Sequence, residues 1–272
     1  MTSVIIVQYN NFDLTREAIS SFIRHHDREG YEIILADNGS IKFDKSEFQN
    51  LFPGIVILDI KENAGFGKAN NMAAKIAAGD VLFFLNNDTV TESEFLSKVE
   101  DKFRKDQSIG IIGPKLVNRD LTYQLSHGKL PSFTRELTDK IIYYVFEKKW
   151  KLPVKYFTSR YEREQFTEWV TGAALFIRKE LFVKAGGFDE KFFMYFEDKE
   201  LCKKTLALKR KILYLPDVSL VHLRGGSSTG DHSSFTDQEY RKSQIYYYGK
   251  HRSRAERVFL KLFLKLTGKF PK

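Results

Sequence analysis

The 272 residues suffice for one large α/β unit or two fused lobes, and a composition of 42% hydrophobic and 29% charged side chains excludes a globally disordered chain. The single cysteine, Cys202, excludes an internal disulfide and a thiolate zinc site, and no run of 18 apolar residues is present to span a bilayer. The net charge of +9 is not spread over the body: ten of the 44 Lys/Arg and one of the 35 Asp/Glu lie at or after Arg241, so the first 240 residues balance. That distribution excludes a nucleic-acid binder, whose excess charge would cover the folded body. The N-terminus, Met1 to Asn10, has no basic leader and runs straight into a strand pattern, so no signal peptide and a cytoplasmic location are expected.

The first half alternates strand and helix signals. Val4–Val7 is a short apolar run, followed by a helical pattern from Leu14 to about His26. Glu32–Ala36 and Ile55–Ile60 read as the second and third strands. The Ala-rich stretch Lys68–Ala78 predicts a helix closed by Gly79 as a C-cap. Val81–Leu85 reads as a buried strand, and Thr91 to Glu94 as a capping box opening a helix to about Lys105. Strands separated by helices predict a parallel sheet covered on both faces, with ligands beyond the carboxyl ends of the strands.

After Pro114 the pattern loosens. Residues 116–130 read as a hairpin, and 131–168 are aromatic and charged without a period that assigns them. Trp169–Ile177 reads as a strand, Asp198–Leu208 as a helix, Lys211–Leu215 and Ser219–His222 as two short strands, and Gly225–Gly230 as a flexible loop. Cys202, on the helix, reads as a small core residue.

Three strands end in polar groups at the edge where ligands should bind: Gln8-Tyr9-Asn10, Asp37-Asn38-Gly39-Ser40 and Asn86-Asn87-Asp88-Thr89. Each alone is an ordinary turn sequence. Together, at one edge of one sheet, they describe a single site. Asp88, at the end of a buried strand, is a hard oxygen ligand suited to Mg2+ or Mn2+, and one protein carboxylate suffices if a diphosphate supplies other oxygens. Asp37 can accept the N3–H of a uracil or thymine ring. Between the third strand and its helix, Glu62-Asn-Ala-Gly-Phe-Gly-Lys-Ala-Asn-Asn71 offers two glycines for close backbone approach. It is neither a P-loop nor a dinucleotide fingerprint, and no Gly-x-Gly-x-x-Gly follows the first strand.

These segments, in this order and spacing, resemble the family-two inverting glycosyltransferases of the GT-A fold, and most of all bacterial rhamnosyltransferase-type enzymes of surface polysaccharide. The resemblance extends to Trp169-Val-Thr-Gly-Ala-Ala-Leu175, to Phe188 through Asp198 and to His222, covering about residues 1–250. It implies a doubly wound mixed α/β sheet with helices on both faces, and a donor site drawing on Gln8, Tyr9, Asn10, Asp37, Asn63, Gly65, Phe66, Asn70, Asn86 and Asn87. It makes Asp88 the metal carboxylate of a degenerate Asp-x-Asp motif in which Asn86 replaces an acid, Asp198 the catalytic base, and His222 a further metal or diphosphate ligand. The donor it implies is a dTDP- or UDP-linked sugar, rhamnose first. The acceptor is a saccharide or a lipid-linked saccharide. No Gln-x-x-Arg-Trp is present, so addition of one or a few sugars is expected rather than polymer synthesis.

Alternatives accompany these readings. Glu197-Asp198 also suits a helix N-terminus electrostatically, but the preceding Phe192-Phe-Met-Tyr-Phe196 is apolar enough to raise a carboxylate's proton affinity. Trp169, Thr171 and Gly172, with Glu197, are candidates for the acceptor side, and Trp169–Gly172 reads equally as core. A sugar-nucleotide pyrophosphorylase would need a glycine-rich loop with Arg and Lys after the first strand, where Gln8 to Phe12 offers none. A non-catalytic carbohydrate-binding or scaffold protein would have no need of both Asp88 and Asp198.

The tail is organised. Arg254, Arg257, Lys261 and Lys265 fall at spacings of three and four, while Val258, Phe259, Leu260, Leu262, Phe263, Leu264 and Leu266 cover the rest of a helix. This predicts a helix lying on an anionic membrane surface, with packing on the protein's own core as the alternative. Tyr246–Tyr248 and Lys250–His251 read as helix packing just before it, with an acceptor's phosphates near Lys250 as a second option. The expected organisation is a nucleotide-sugar half at 1–115, an acceptor half at 116–240 and the tail at 241–272.

Overall fold

In the computed structural model, residues 1–27, 29–147, 161–223 and 232–271 are described. Among them, ten strands form one mixed sheet in the order β3-β2-β1-β4-β11-β6-β12-β5, with β7 beside β6 and β9 beside β12. The strands are β1 (Thr2–Gln8), β2 (Tyr31–Asn38), β3 (Val56–Ile60), β4 (Val81–Asn86), β5 (Thr89–Thr91), β6 (Ile109–Val117), β7 (Tyr123–Gln124), β9 (Gln165–Thr167), β11 (Ala174–Arg178) and β12 (Lys211–His222). A second, two-stranded sheet pairs β8 (His127–Gly128) with β10 (Trp169–Val170). β3, β2, β1 and β4 run parallel, and β11 lies antiparallel between β4 and β6.

Nine helices are described: α1 (Phe12–His25), α2 (Lys45–Leu51), α3 (Phe66–Ile76), α4 (Leu96–Lys105), α5 (Phe133–Glu147), α6 (Lys179–Lys184), α7 (Glu197–Ala207), α8 (His232–His251) and α9 (Arg254–Leu266). Val4 and Ile6 of β1 face a core shared with α1, α2 and α4, while Ile5 faces a second core shared with α3, α6 and α7. Covered on both faces, the central strands read as unbroken apolar runs instead of an alternation.

Several local expectations are corrected. α3 ends at Ile76 on an extended Ala77, so Gly79 is not its cap. Gly79 is needed for close approach, because a Cβ there would meet Met1 O and Ser3 N at 2.7 Å. Thr91 closes β5 and does not open a capping box; α4 starts at Leu96, where Glu94 accepts from Ser97 N at 2.9 Å. The Trp169–Ile177 strand is two strands in two sheets, broken at 171–173. Conversely, the two strands at 211–222 are one, β12, with a register irregularity between Leu215 and Ser219. α2, capped by the Asp44 carboxylate on Ser46 N and Glu47 N, and α5 in the unassigned stretch had no sequence signal strong enough to place them. Residues 225–230 lie outside the described residues. Residue 115 falls inside β6, so the two expected halves share one sheet.

A third apolar cluster joins Phe192 and Phe196 to Tyr247 and Tyr248 of α8 and to Leu260 and Leu264 of α9. The tail is therefore docked by one face. Ser253 and Glu256 form the capping box that starts it. Val258, Phe259, Leu262 and Leu266 point away from this contact and are exposed. Among the described residues no helix is long and apolar enough to cross a membrane.

Candidate active site

Parallel register aligns the carboxyl ends of the first strands, with Gln8 opposite Asp37 and Val7 opposite Asn86. Gln8 is fully buried; its Nε2 donates to Asp37 Oδ1 at 2.7 Å and Ser40 Oγ at 3.0 Å, and its Oε1 accepts from Thr15 Oγ1 at 3.3 Å. Ser40 N donates to Asp37 Oδ2 at 3.1 Å. Both Asp37 oxygens thus take one donor each and keep a second lone pair. Tyr9 and Asn10 stand at the exposed rim, and Asn10 holds φ at +57°. Asn87 Nδ2 donates to Thr15 Oγ1 at 3.0 Å, joining the ends of β1 and β4 through α1.

The loop before α3 is tied to the same edge. Asn38 Nδ2 donates to Asn63 Oδ1 at 3.0 Å, and Asn63 Oδ1 also accepts from Gly65 N at 3.1 Å. Gly65 sits at φ +82°, where a Cβ would lie 2.6 Å from Phe193 O, so only glycine fits. Phe66 N donates to that same Phe193 oxygen at 3.0 Å, and Asn70 Nδ2 closes on Phe66 O at 3.0 Å. The loop is thereby latched to the segment that leads into α7.

β5 and β12 bring Asp88 and His222 together, with His222 Nε2 3.1 Å from Asp88 Oδ1. The imidazole is oriented from behind: its Nδ1 lies 2.9 Å from Gln124 Oε1, while Gln124 Nε2 donates to His222 O at 2.6 Å and Asn118 Oδ1 at 2.7 Å. With the amide nitrogen committed to two oxygens, its oxygen accepts and His222 Nδ1 carries the proton. Nε2 and the carboxylate then face one another, an arrangement satisfied by a proton on the ring or by a cation between them. One carboxylate and one imidazole are compatible with a divalent ion that takes its other ligands from diphosphate and water. Among the described residues no group of three or more His, Cys, Asp or Glu forms a self-sufficient metal cage. Asn86 Nδ2 is 3.5 Å from the same His222 nitrogen.

Asp198 is the second residue of α7, which follows two consecutive left-handed residues, Tyr195 at φ +68° and Phe196 at φ +69°. Its Oδ2 accepts from Gly172 N at 3.0 Å and its Oδ1 from Lys199 N at 2.7 Å. The neighbouring Ala173 O accepts from Asn86 N at 2.9 Å. Two adjacent residues, Gly172 and Ala173, therefore connect the Asp198 carboxylate to the strand end that carries Asp88. Glu197 is buried, its Oε2 has no hydrogen-bond partner among the described residues, and burial, followed by the charge of Asp198, pushes its carboxyl from 4.5 up to about 8.

Trp169 is buried in the core beside Gly128, with Lys199 Nζ 4.8 Å above its ring. Burial pulls the Lys199 ammonium down and Asp198 pulls it up, and the net direction is up. Thr171 Oγ1 accepts from Ala173 N at 3.3 Å, shaping the turn that presents Gly172. Lys250 is engaged by Asp189 at 2.8 Å and Glu200 at 2.6 Å, so its charge is already balanced. Cys202 is fully buried. Sequence reasoning missed Gln124, Thr15 and Lys199. Gln124 sits on a two-residue strand 98 positions from the histidine it orients, so no local spacing could reveal it.

An open α/β sheet with polar groups gathered at its strand ends, an acidic residue beside a histidine at one flank and a buried acidic pair at the other, is the arrangement of a GT-A-type glycosyltransferase. The chain belongs to the family described as Glycosyl transferase family 2, whose profile matches residues 3–181. It is similar to the Rhamnosyltransferase WbbL of Escherichia coli (strain K12), with 26% identity over 95% of this chain and 97% of that protein. It is 25% identical, over 80% of this chain and 75% of the other, to the N-acetylglucosaminyl-diphospho-decaprenol L-rhamnosyltransferase of Mycobacterium tuberculosis (strain ATCC 25618 / H37Rv). The O-antigen biosynthesis protein RfbC of Myxococcus xanthus is 26% identical over 84% of this chain, which spans only 18% of that protein's length. Among solved structures, the fold is shared with the mannosyltransferase PcManGT from Pyrobaculum calidifontis in complex with GDP-Man and Mn2+, at a TM-score of 0.62 and 16% identity over 92% of this chain and 63% of that one. It is also shared with GalNAc-T7 with UDP, GalNAc and Mn2+, at 0.65 and 19% over 100% and 55%.

Proposed function

We propose that this protein transfers a single sugar, with inversion, from a nucleoside diphosphate donor to a saccharide or lipid-linked saccharide acceptor in bacterial surface polysaccharide synthesis. The observation that carries the reading is the bridge from Asp198 through Gly172 and Ala173 to Asn86, two residues before Asp88. It supports a reading in which a proton acceptor and a diphosphate-holding group serve one site. The nucleoside end lies over Gln8, Asp37 and Ser40, where the remaining lone pairs of Asp37 accept a pyrimidine N3–H. Asp88 and His222 would hold Mg2+ or Mn2+, which when bound offsets charge on the departing diphosphate.

The acceptor hydroxyl oxygen bonds to the anomeric carbon as the bond to the diphosphate oxygen breaks, and its proton passes to the Asp198 carboxylate. Gly172 N and Lys199 N hold that carboxylate in one orientation, while Thr171 and Gly172 stand on the acceptor side, backed by the buried Trp169 and Glu197. Rhamnose from dTDP-rhamnose is the first donor to test, supported by two rhamnosyltransferases among the similar proteins. The exposed apolar and basic faces of α9 support peripheral attachment to an anionic membrane, and hence a site on the cytoplasmic face.

A panel of dTDP-, UDP- and GDP-sugars, with Mn2+, with Mg2+ or with EDTA, scored for nucleoside diphosphate release, tests this. One donor should turn over in a metal-dependent way, and Asp198→Asn should lower turnover by about a hundredfold or more while nucleotide binding survives. Turnover of Asp198→Asn near the wild-type rate would remove Asp198 as the base, and no release from any donor would remove the reading itself.

A further inference from the structure

A cleft of about 340 Å³ has none of Asp88, Asp198 or His222 in its lining. It is lined by Lys129 after β8, Arg135 of α5, Lys203 of α7, and His251 and Arg252 where α8 ends, with Tyr247 and Glu168 among the other lining groups. Three of these basic groups have partners. Lys129 pairs with Glu168 at 2.9 Å, Arg252 with Glu256 at 2.7 Å, and His251 with Glu200. Among the described residues, the Arg135 guanidinium and the half-buried Lys203 ammonium make no ion pair. Among the described residues of the lining Glu168 is the only carboxylate; it is held by Lys129 and by Leu130 N at 3.0 Å, and the Arg135 charge acts on it as well. Among the described residues of the lining, basic groups therefore outnumber carboxylates.

Its position relates it to the reaction. Glu168 precedes Trp169, the ring under Lys199, and Lys203 lies one helical turn beyond Lys199 on α7. From Asp198 to Lys203 the rise along the helix is about 7.5 Å, the scale of one hexose. Beyond the lining, the neighbouring surfaces of α5 and α9 are apolar. Phe133, two residues before Arg135, packs edge-on against Phe259 of α9 with ring centroids 4.4 Å apart. From there Leu137 and Ile141 of α5 and Val258, Phe259, Leu262 and Leu266 of α9 are exposed.

The geometry points to a second diphosphate subsite: Arg135 and Lys203 grip the diphosphate of a lipid-linked acceptor whose sugar reaches Asp198 and whose chain runs onto the exposed faces of α5 and α9. This deepens the glycosyltransferase reading and rests on it. A guanidinium fork and an ammonium converging on one cleft suit phosphate oxygens, and each charged hydrogen bond there is stronger than a neutral one. The two cations at the cleft and the apolar faces beyond it match the two parts of such a lipid, whereas a free phosphate would use only the first.

Titration calorimetry with farnesyl diphosphate, in EDTA so that a metal-held diphosphate at the donor site does not contribute, tests the subsite. Inorganic pyrophosphate and farnesol are the comparison arms. Farnesyl diphosphate should bind about tenfold or more tighter than either. The surface double variant Arg135→Ala/Lys203→Ala should lose about tenfold in that affinity with an unchanged thermal midpoint and unchanged farnesol binding. Equal affinity of wild type and variant overturns the subsite, and pyrophosphate binding as tightly as farnesyl diphosphate overturns the lipid. The donor panel is scored separately, so failure of sugar transfer and failure of this subsite are told apart.

Discussion

Tyr195 and Phe196 hold φ at +68° and +69°, a conformation that costs a non-glycine residue about 1 kcal/mol or more. The strain turns the chain so that Glu197 and Asp198 enter α7 facing inward, and burial of Phe196 against Tyr240 and Tyr247 offsets it. Of the two carboxyls, Asp198 takes two backbone donors, and Glu197 takes none at Oε2 from the described residues. Glu197 has a titration consequence. Folded, its carboxyl sits at about 8 because burial, and then the Asp198 charge, disfavour ionisation; its ordinary value is 4.5. Between those values the folded chain keeps a proton that the unfolded chain has released. Stability linked to Glu197 is thus full below about pH 4.5 and declines as pH rises toward 8, by at most about 1.4 kcal/mol per pH unit. Glu197→Gln keeps the neutral form at every pH, so its midpoint should fall less between pH 5 and pH 8 than that of the wild type. Parallel melting curves across that range would show that Glu197 is ionised in the fold.

At the scale of elements, α9 is a buttress of the site as well as a tail. Leu264 is fully buried in the cluster that includes Phe196, whereas Leu266, two residues on, is 87% exposed. Leu264→Ala should cost about 3 kcal/mol of stability, and Leu266→Ala about 0.5 kcal/mol or less. Because Phe196 is the N-cap of α7, two residues before Asp198, Leu264→Ala should also slow nucleoside diphosphate release at temperatures where the protein remains folded. Unfolding curves that put the two variants level would separate α9 from the site. Removal of everything after Arg252 would strip this packing, so truncation reports on the site as much as on any surface α9 contacts.

For the whole molecule, the charge map is the organising fact. The net +9 arises entirely from Arg241 onward, and of that stretch Lys261 and Lys265 on α9 are exposed beside its apolar face. Binding to vesicles containing phosphatidylserine should exceed binding to neutral phosphatidylcholine vesicles and weaken with salt, since Debye screening shortens the reach of these charges. At about 1 kcal/mol per lysine near an anionic surface, Lys261→Ala/Lys265→Ala should lower the partition coefficient about thirtyfold. Cosedimentation unaffected by lipid charge or by this double variant would defeat membrane attachment through α9.

What the chain could declare locally was its strands, its alternation and the polar groups at the strand ends. An apolar run such as Val81–Leu85 followed by Asn-Asn-Asp needs no distant partner to be read, because buried strands and hydrophilic turns are written in consecutive residues. Only tertiary packing decided the rest. Trp169–Ile177 splits between two sheets because Thr171, Gly172 and Ala173 are drawn into bonds with Ser126, Asp198 and Asn86. His222 points at Asp88 because Gln124, in a strand too short to announce itself, holds the other side of its ring. The apolar tail divides into a docked face and an exposed face because α8 offers Tyr247 and Tyr248 to one side of it alone. Hydrophobic periodicity says that a face will be covered, and which surface covers it is settled by residues far away in the sequence.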